Sequence, residues 1–542
     1  MSTVTVDAAA PRADAVAPAR SDGSARRRAL TVLGVVVLIG AWELLARTVL
    51  EGSYVLSAPS AIVERIADER TLYRRNLQFT TWNAVQGFVW GNLAAVVFAV
   101  VAVVVPVTRR VVSAVALTVF CLPLVALAPI LRVVLGPGTA VPVALGGLAV
   151  FFTTLVAALV GLRSAPAGPL ELVASYGRGR WTALAKVRAR AAVPALVAGL
   201  QVAAPAAFLG ALIGEFAGAE KGFGVLTISA LRTLETDRVW AVAVASTVVS
   251  CGAYVLIGAV GRRLCPWAPE VSLAARLADV GASRRAVNGL AGIVTSLAIV
   301  LVLWVGFLRV FDVNSFFAKG PIEVWQYLVT EPAAGEQRVE VFGALGETVR
   351  TTLLGFSAGM LAAIALAALF VSSPVVERVL TPVAVALRAV PIVATTPLII
   401  MAFGRGVVGT TVIVAVMSFF PTLVNVVAGM RQTPGRLLDV VRSYDAPRWA
   451  VLWKARLPSA LPAILASARI AVPASLLGAT VAEWLATGGG MGDLMIVSAS
   501  LARYDVLWSC VAVLTLTAVI GYGLVAALEG AVLRRYAPEH AT

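Results

Sequence analysis

Long apolar segments separated by short polar connections recur along the whole chain. A helix needs about 20 apolar residues to cross the hydrocarbon core of a bilayer, and about twelve segments approach that length. The pattern therefore predicts an all-α polytopic membrane protein with about twelve transmembrane helices. The predicted spans are 29–50, 82–105, 111–135, 140–163, 190–217 and 239–262 in the first half, and 288–310, 345–371, 377–402, 407–430, 458–486 and 506–530 in the second.

The composition excludes a soluble protein. Hydrophobic residues make up 59% of the chain, charged residues make up 13%, and the mean hydropathy is +0.90. Soluble domains carry about 25% charged residues. A soluble core could not bury this many apolar segments, so the membrane class follows from composition as well as from pattern.

The net charge of +15 is concentrated on alternate connections between the predicted spans. Basic clusters lie at 26–28, 109–110, 163–190, 262–285, 431–456 and 534–535, whereas the segment 312–347 is rich in acids. Short basic loops stay in the cytoplasm, so the pattern places these loops and both termini there. A nucleic-acid-binding protein would need one basic face, and the alternation argues against that class.

The sequence repeats itself with an offset of 268 residues, without a gap from about Thr80 to Trp240. Of the 25 pairs that begin with Leu170 and Leu438, 11 are identical. Six spans per repeat is an even number, so both repeats enter the membrane with the same orientation. Parallel repeats are related by an axis along the membrane normal, and a pathway is expected at their interface.

The repeat predicts the domain organisation. Residues 1–28 form a disordered cytoplasmic tail, 29–264 the first repeat, 265–287 a cytoplasmic linker, 288–535 the second repeat and 536–542 a tail. The linker is where a fusion would have joined two subunits.

The cytoplasmic loop between the fourth and fifth spans is conspicuous in both repeats. Apolar residues at helical spacing, a break at Gly177 and a second periodic run from Trp181 predict a short amphipathic helix, a bend and another helix. Such a helix could rest on lipid headgroups. Its recurrence in both repeats, with an acid and an Arg-Trp pair at fixed positions, favours docking of two equivalent partners.

These loops resemble the EAA motif of permease subunits of bacterial ABC importers. The motif is Glu171 to Gly177 with Pro194 downstream, and Asp439 to Asp445 with Pro462 downstream. The wider pattern is similar to the nitrate, sulfonate and taurine branch, in the segments Pro391 to Pro397, Gly404 to Gly406, Ala482 to Trp484 and Gly490 to Gly492. The second copy departs from the motif at Asp439 and Asp445, so the two halves need not couple equally.

The resemblance implies a fused, double-length permease of the bacterial plasma membrane, in which each loop is a coupling helix. It implies two cytoplasmic ABC ATPase subunits that bind ATP and Mg²⁺, an extracytoplasmic solute-binding protein and one fused chain per transporter. The solute would be a sulfonate, taurine, nitrate or a thiamine precursor. The residues implied in ATPase docking are Glu171, Tyr176, Gly177, Arg180, Trp181, Asp439, Tyr444, Asp445, Arg448 and Trp449.

No catalytic, cofactor or metal site is predicted within this chain. The sequence lacks a G-x-x-x-x-G-K-[ST] phosphate loop, so ATP hydrolysis must occur in separate subunits. The single histidine, His540, is terminal, and the cysteines at 121, 251, 265 and 510 lack the close spacing of a metal site. The chain is therefore interpreted as a transport subunit and not as an enzyme.

Five residues are candidates for a pathway or gate: Arg388, Glu215, Glu483, Gln201 and Asn425. Arg388 is the one charge that the pattern sets plainly inside a span, where it would attract an anion or snorkel to the interface. The two glutamates are predicted near the outer surface, as a gate, as a contact for the delivering protein or as plain interfacial carboxylates. The two amides would line the path or bond neighbouring helices.

Two other functions remain open from the residues alone. A secondary transporter or channel with parallel repeats would need several intramembrane acids for ion coupling. A membrane-embedded enzyme would need clustered His, Asp or Glu residues. The pattern provides neither set, so both are weaker than the permease hypothesis.

Overall fold

The computed structural model of the protein describes residues 34, 36–37, 39–48, 56–233, 235–266, 290–310, 312–373 and 392–536. Every regular element within these ranges is a helix. The all-α prediction is therefore confirmed for the described part of the chain. The predicted tails and the linker 265–287 lie almost wholly outside these residues, and so does Arg388.

The two repeats contain matching helices, except that residues 377–389, the equivalents of 109–121, lie outside the described part of the chain. In the first repeat these are α1 39–48, α2 Pro59–Asp68, α3 Arg70–Val104, α4 Arg109–Cys121, α5 Leu124–Leu135, α6 Ala140–Arg163, α7 Ala167–Ser175, α8 Arg180–Phe216, α9 Phe223–Arg232 and α10 Thr236–Leu264. In the second they are α11 Leu290–Val310, α12 Pro321–Trp325, α13 Ala334–Ser372, α14 Ile392–Phe403, α15 Val407–Arg431, α16 Gly435–Ser443, α17 Arg448–Leu485, α18 Gly490–Ser500 and α19 Tyr504–Tyr536. The bounds of α14 and α16 equal those of α5 and α7 displaced by 268 residues.

Eight of the described helices are long and apolar enough to cross a membrane: α3, α6, α8, α10, α13, α15, α17 and α19. The pair formed by α4 and α5 is a ninth candidate. The predicted spans 29–50, 288–310 and 377–402 are described only in part. The total of twelve spans therefore stays a prediction.

The third predicted span, 111–135, is not one continuous helix. α4 ends at Cys121, and α5 begins at Leu124 after a bend of 100°. Pro123 has no N–H to donate and disfavours a helical conformation of the residue before it. Leu122 accordingly adopts an extended ψ of 124°. The two helices together remain one candidate span, and the apolar pattern alone does not reveal the bend between them.

Small residues set the distance between the core helices of each repeat. α3 and α8 both pack against α6, and α13 and α17 both pack against α15. At Gly91 of α3, an added Cβ would overlap the backbone of Gly147 in α6. Gly359 of α13 faces Ala415 of α15 in the same manner. Such close contacts favour association of helices in a membrane, where packing replaces the hydrophobic effect.

Basic residues mark one end of the long helices. α6 ends at Arg163, α15 ends at Arg431, and the connections that follow carry further arginines and lysines. We call this end the basic side and the opposite end the distal side. The connections at 136–139, 217–222 and 312–320 lie on the distal side.

The broken third span joins the two repeats. α4 packs against α11 and α19 of the second repeat, and α5 packs against α17, α18 and α19. α14, the equivalent of α5, makes the reciprocal contacts with α8, α9 and α10. This exchange leaves the fifth spans, α8 and α17, facing each other across the middle of the protein.

Candidate functional site

The distal ends of α8 and α17 meet in one apolar cluster, which we call the distal junction. It contains three pairs of residues at equivalent positions: Leu209 with Leu477, Ile213 with Val481, and Phe216 with Trp484. The rings of Phe216 and Trp484 stand edge to face, with centroids 6.1 Å apart. Equivalent residues can touch only beside the axis that relates the two repeats. The junction therefore closes the interface between the repeats on the distal side.

A buried carboxylate stands next to each aromatic residue of the junction. The Oε2 atom of Glu215 accepts hydrogen bonds from the hydroxyl of Thr80 in α3 and from the N–H of Gly224 in α9, both at 2.9 Å. The same hydroxyl accepts a bond from the N–H of Phe223 at 2.9 Å. Glu215 thus connects three helices of the first repeat.

The second repeat reproduces this arrangement atom for atom. Oε2 of Glu483 accepts from the hydroxyl of Thr348 at 2.8 Å and from the N–H of Gly492 at 3.0 Å. The Thr348 hydroxyl accepts from the N–H of Met491 at 2.8 Å. We call each set of bonds a carboxylate link. Both glutamates are buried, and Oε2 of each is engaged in hydrogen bonds, whereas Oε1 of Glu215 has no hydrogen-bond partner among the described residues.

The glycines that follow each glutamate make room for its side chain. An added Cβ at Gly222 would overlap the carboxyl group of Glu215, and one at Gly490 would overlap that of Glu483. Both glycines have a positive φ, at 121° and 79°. The recurring pattern of a glutamate followed by Gly-x-Gly is therefore explained by a carboxylate that fills the space above the start of α9 or α18.

The structure corrects the position predicted for the two glutamates. Both lie near the distal ends of α8 and α17, as their spacing from Pro194 and Pro462 suggested, but neither reaches the surface. They cannot touch a docked protein directly, and Phe216 and Trp484 occupy the interface between the repeats instead. The sequence signal that could have revealed the links is the pairing of Thr80 with Thr348 at the offset of 268 residues.

The two loops on the basic side fold as helix, turn and helix. α7 and α8 are joined through Gly177, with φ 66°, and α16 and α17 through Asp445, with φ 53°. Asp445 therefore adopts the left-handed conformation that glycine adopts in the first repeat. Pro166 and Pro434 precede α7 and α16, so Glu171 and Asp439 are the fifth residues of their helices.

Aromatic side chains of these turns face away from the protein. Trp181 is 68% exposed and Trp449 66%, and Tyr176 and Tyr444 are more exposed still. Arg180 donates a hydrogen bond of 3.4 Å to the carbonyl of Val104, at the end of α3, and Arg448 is exposed. The ring of Trp449 stands edge to face with that of Trp453, which is itself 55% exposed. Each turn thus presents a large apolar surface to the outside.

A π-helical turn follows Trp181 in the first repeat and Trp449 in the second. It spans Leu184–Arg188 in α8 and Leu452–Arg456 in α17. π-Helical turns occur mostly within α-helices at functional sites. Each π-helical turn lies between the exposed turn on the basic side and the rest of α8 or α17.

Comparison with known proteins identifies the family. Residues 87–265 and 355–536 each match the binding-protein-dependent transport system inner membrane component. The chain belongs to this family. The permease therefore carries two copies of a domain, and both copies contain a distal-junction aromatic, the glutamate of a carboxylate link and a basic-side turn.

Three similar permeases each match less than half of this chain. A probable ABC transporter permease of Haemophilus influenzae is 30% identical over 216 residues, which are 40% of this chain and 86% of the relative. A taurine transport system permease of Escherichia coli is 27% identical over 248 residues, 45% of this chain and 88% of the relative. A riboflavin transport system permease of Chloroflexus aurantiacus is 32% identical over 158 residues, 29% of this chain and 59% of the relative.

Four of the five predicted pathway residues are described, on α8, α15 and α17. The side-chain amide of Gln201 packs against Gly258 of α10 in the same repeat. A Cβ added to Gly258 would overlap the Nε2 atom of Gln201. Asn425 is half-buried in α15. The two glutamates belong to separate links, and Arg388 is not described. A shared pathway site formed by these residues therefore stays a prediction.

An intramembrane ion pair was missed by the sequence analysis. Nη1 of Arg469 in α17 lies 3.0 Å from Oε2 of Glu529 in α19, with side-chain exposures of 10% and 3%. The guanidinium stands over the ring of Tyr522 at 5.5 Å, and that ring contacts Phe120 of the first repeat. Arg388 is therefore not the one charge within a span. The repeat comparison gave no signal, because the equivalent residues are Gln201 and Gly261.

Proposed function

We propose that this permease forms the transmembrane pathway of an ABC importer, driven by ATP hydrolysis in separate subunits. The observation that carries the proposal is the presence of two family domains whose basic-side turns expose equivalent tryptophans, Trp181 and Trp449. Trp is among the residues that contribute most to protein interfaces. Two equivalent turns fit two ATPase subunits, one beneath each repeat.

The proposal includes the topology predicted from charge. The basic side faces the cytoplasm together with both termini, the distal side faces a solute-binding protein, and twelve spans cross the bacterial plasma membrane. Membrane lipid surrounds the exposed apolar faces, such as Trp82 of α3. One fused chain then replaces the two permease subunits of a dimeric importer.

The docking set is proposed to act as one unit in each repeat. Gly177 and Asp445 hold the left-handed bend, Trp181 and Trp449 enter a cleft of the ATPase with Tyr176 and Tyr444, and the remaining residues are Glu171, Arg180, Asp439 and Arg448. The π-helical turns lie directly between these residues and the fifth spans. Closure of the ATPase pair would then move α8 and α17 relative to each other.

Small solutes of the kind carried by the relatives are the proposed substrates. The names of similar permeases include sulfonates, taurine, nitrate, riboflavin and formylaminopyrimidine. The test is ATP hydrolysis by the complete complex in proteoliposomes, with its ATPase and binding protein, across these five classes of solute. We expect one class alone to stimulate hydrolysis and to accumulate inside vesicles in proportion to ATP. Uptake that follows a proton or sodium gradient without ATP would instead establish a secondary transporter.

The distal junction is proposed to be the outer gate, closed in this structure. We expect a cross-link between Phe216→Cys and Trp484→Cys, in a chain whose four native cysteines are replaced, to stop uptake. The reason is that a solute can enter the interface between the repeats only when α8 and α17 separate at this level. Uptake of the reconstituted complex is measured before cross-linking, after it and after reduction.

Each single cysteine variant, treated with the same reagent, is the matched control and should keep its uptake. Full uptake by the cross-linked double variant would show that solute does not pass between Phe216 and Trp484.

A further inference from the structure

We infer that Glu215 and Glu483 are positioning residues of the outer gate, through which movement of the distal helices α9 and α18 reaches the junction. The inference rests on the proposed importer function and names a part of its mechanism. Its basis is the pair of carboxylate links, which tie α8 to α3 and α9 in one repeat and α17 to α13 and α18 in the other.

The first step of the argument is the place of the links along the chain. Glu215 directly precedes Phe216, and Glu483 directly precedes Trp484. The carboxylate and the gate ring of each repeat are therefore fixed to adjacent backbone positions of the same helix. A shift of the carboxylate by a fraction of a helical turn must move the ring by a similar amount.

The second step is the rigidity of each link. One oxygen of each glutamate accepts two hydrogen bonds, one of them from the hydroxyl of Thr80 or Thr348. That hydroxyl in turn accepts a third bond from a backbone N–H in the first turn of α9 or α18. Hydrogen bonds inside a protein are electrostatically stronger than those exposed to water. The positive end of a helix dipole also favours a carboxylate at that position. The three helices therefore move as one body at this point.

The third step is access from the distal side. The connection between α8 and α9 exposes Glu220 and Lys221, and the one between α17 and α18 exposes Gly488. A protein docked on the distal side would press on these connections without touching the buried glutamates. The link gives such a contact a direct mechanical route to Phe216 and Trp484.

Hydrogen bonding and charge can be separated by substitution. A glutamine retains one oxygen at the end of the side chain, and one oxygen is all that the two donors use in each repeat. An alanine leaves the Thr80 hydroxyl and the Gly224 N–H buried without their acceptor, which is the costly case. Thr80→Val and Thr348→Val remove only the hydroxyl and keep the shape of the residue.

The test uses the complete transporter with its ATPase and binding protein. We expect Glu215→Ala with Glu483→Ala to lower stimulation of ATP hydrolysis by the loaded binding protein about tenfold. The cross-linking rate of cysteines at 216 and 484 should then no longer respond to the binding protein. Glu215→Gln with Glu483→Gln should restore most of both responses, and the paired threonine variants should fall between them.

Each outcome decides a different claim. If the natural chain shows no ATP-dependent uptake at all, the proposed function is wrong. If the natural chain transports and the alanine variants respond to the binding protein as it does, the glutamates do not position the gate. If the alanine variants fail to reach the membrane, the threonine variants carry the test, and a full response from them overturns the inference.

Discussion

Replacing Trp181 and Trp449 with alanine is expected to uncouple ATP hydrolysis from uptake while the permease remains in the membrane. Both side chains are about two-thirds exposed, although indole rings bury a large area when they find a partner. Truncating a tryptophan at the centre of an interface costs at least about 2 kcal/mol, which corresponds to a loss of roughly 30-fold in affinity. We expect uptake to fall by at least that factor in the double variant. Co-purification of the ATPase, ATP hydrolysis by the complex and uptake into proteoliposomes measure these effects.

Trp82 supplies the matched control for this experiment. It is the same residue type, with an exposure of 64%, but it lies on the lipid-facing side of α3. Trp82→Ala should therefore keep the ATPase bound and uptake near the natural rate. Equal losses in Trp82→Ala and in the turn variants would indicate a general effect of surface tryptophans. Full uptake by the turn variants would place the ATPase contact elsewhere.

The turns also show how far two unequal repeats can share one geometry. Gly177 has φ 66° at no steric cost, whereas Asp445 adopts φ 53° with a side chain that tolerates this region better than most. Asp445→Gly is expected to leave uptake unchanged, because glycine already serves the same bend in the first repeat. Gly177→Val is expected to distort the turn, since a β-branched residue at this φ is strained.

The helices and the repeat could be predicted from the sequence because both depend on patterns that run over many residues. Apolar length located α6 and α8 closely, and the offset of 268 residues paired them with α15 and α17. The break at Pro123 could not be predicted from the same pattern, because a proline inside an apolar run can either kink a helix or end it. Local backbone chemistry decided that case.

Contacts between distant residues limited the prediction of the site. Glu215 was found as an acid near the end of a span, but its burial depends on Thr80 and Gly224, which approach it only in the folded chain. The junction between Phe216 and Trp484 likewise requires the axis between the repeats. Arg469 was missed because its partner Glu529 lies 60 residues away and neither has a charged counterpart in the first repeat.

Removing one member of the Arg469 and Glu529 pair is expected to destabilise the permease more than any other single substitution within its spans. Arg469 lies 13 residues beyond Arg456, or about 20 Å along α17, well inside the helix bundle. An unpaired charge left at such a site costs about 3–5 kcal/mol of folding free energy. Arg469→Ala should therefore lower the free energy of unfolding, measured by denaturation in mixed micelles, by about that amount, and Glu529→Ala should do the same.

The double variant Arg469→Met with Glu529→Leu separates charge from packing. Apolar side chains of similar volume often replace a buried ion pair without loss, so we expect its stability to stay within about 1 kcal/mol of the natural chain. Gln201→Ala, at the equivalent position in the first repeat, removes an uncharged side chain and should cost about 1 kcal/mol, as most substitutions do. A double variant as unstable as Arg469→Ala would mean that the side-chain shapes hold α17 to α19. The ion pair occurs in the second repeat alone. If the double variant is stable but its uptake is altered, the ion pair has a role in transport that makes the two repeats move differently.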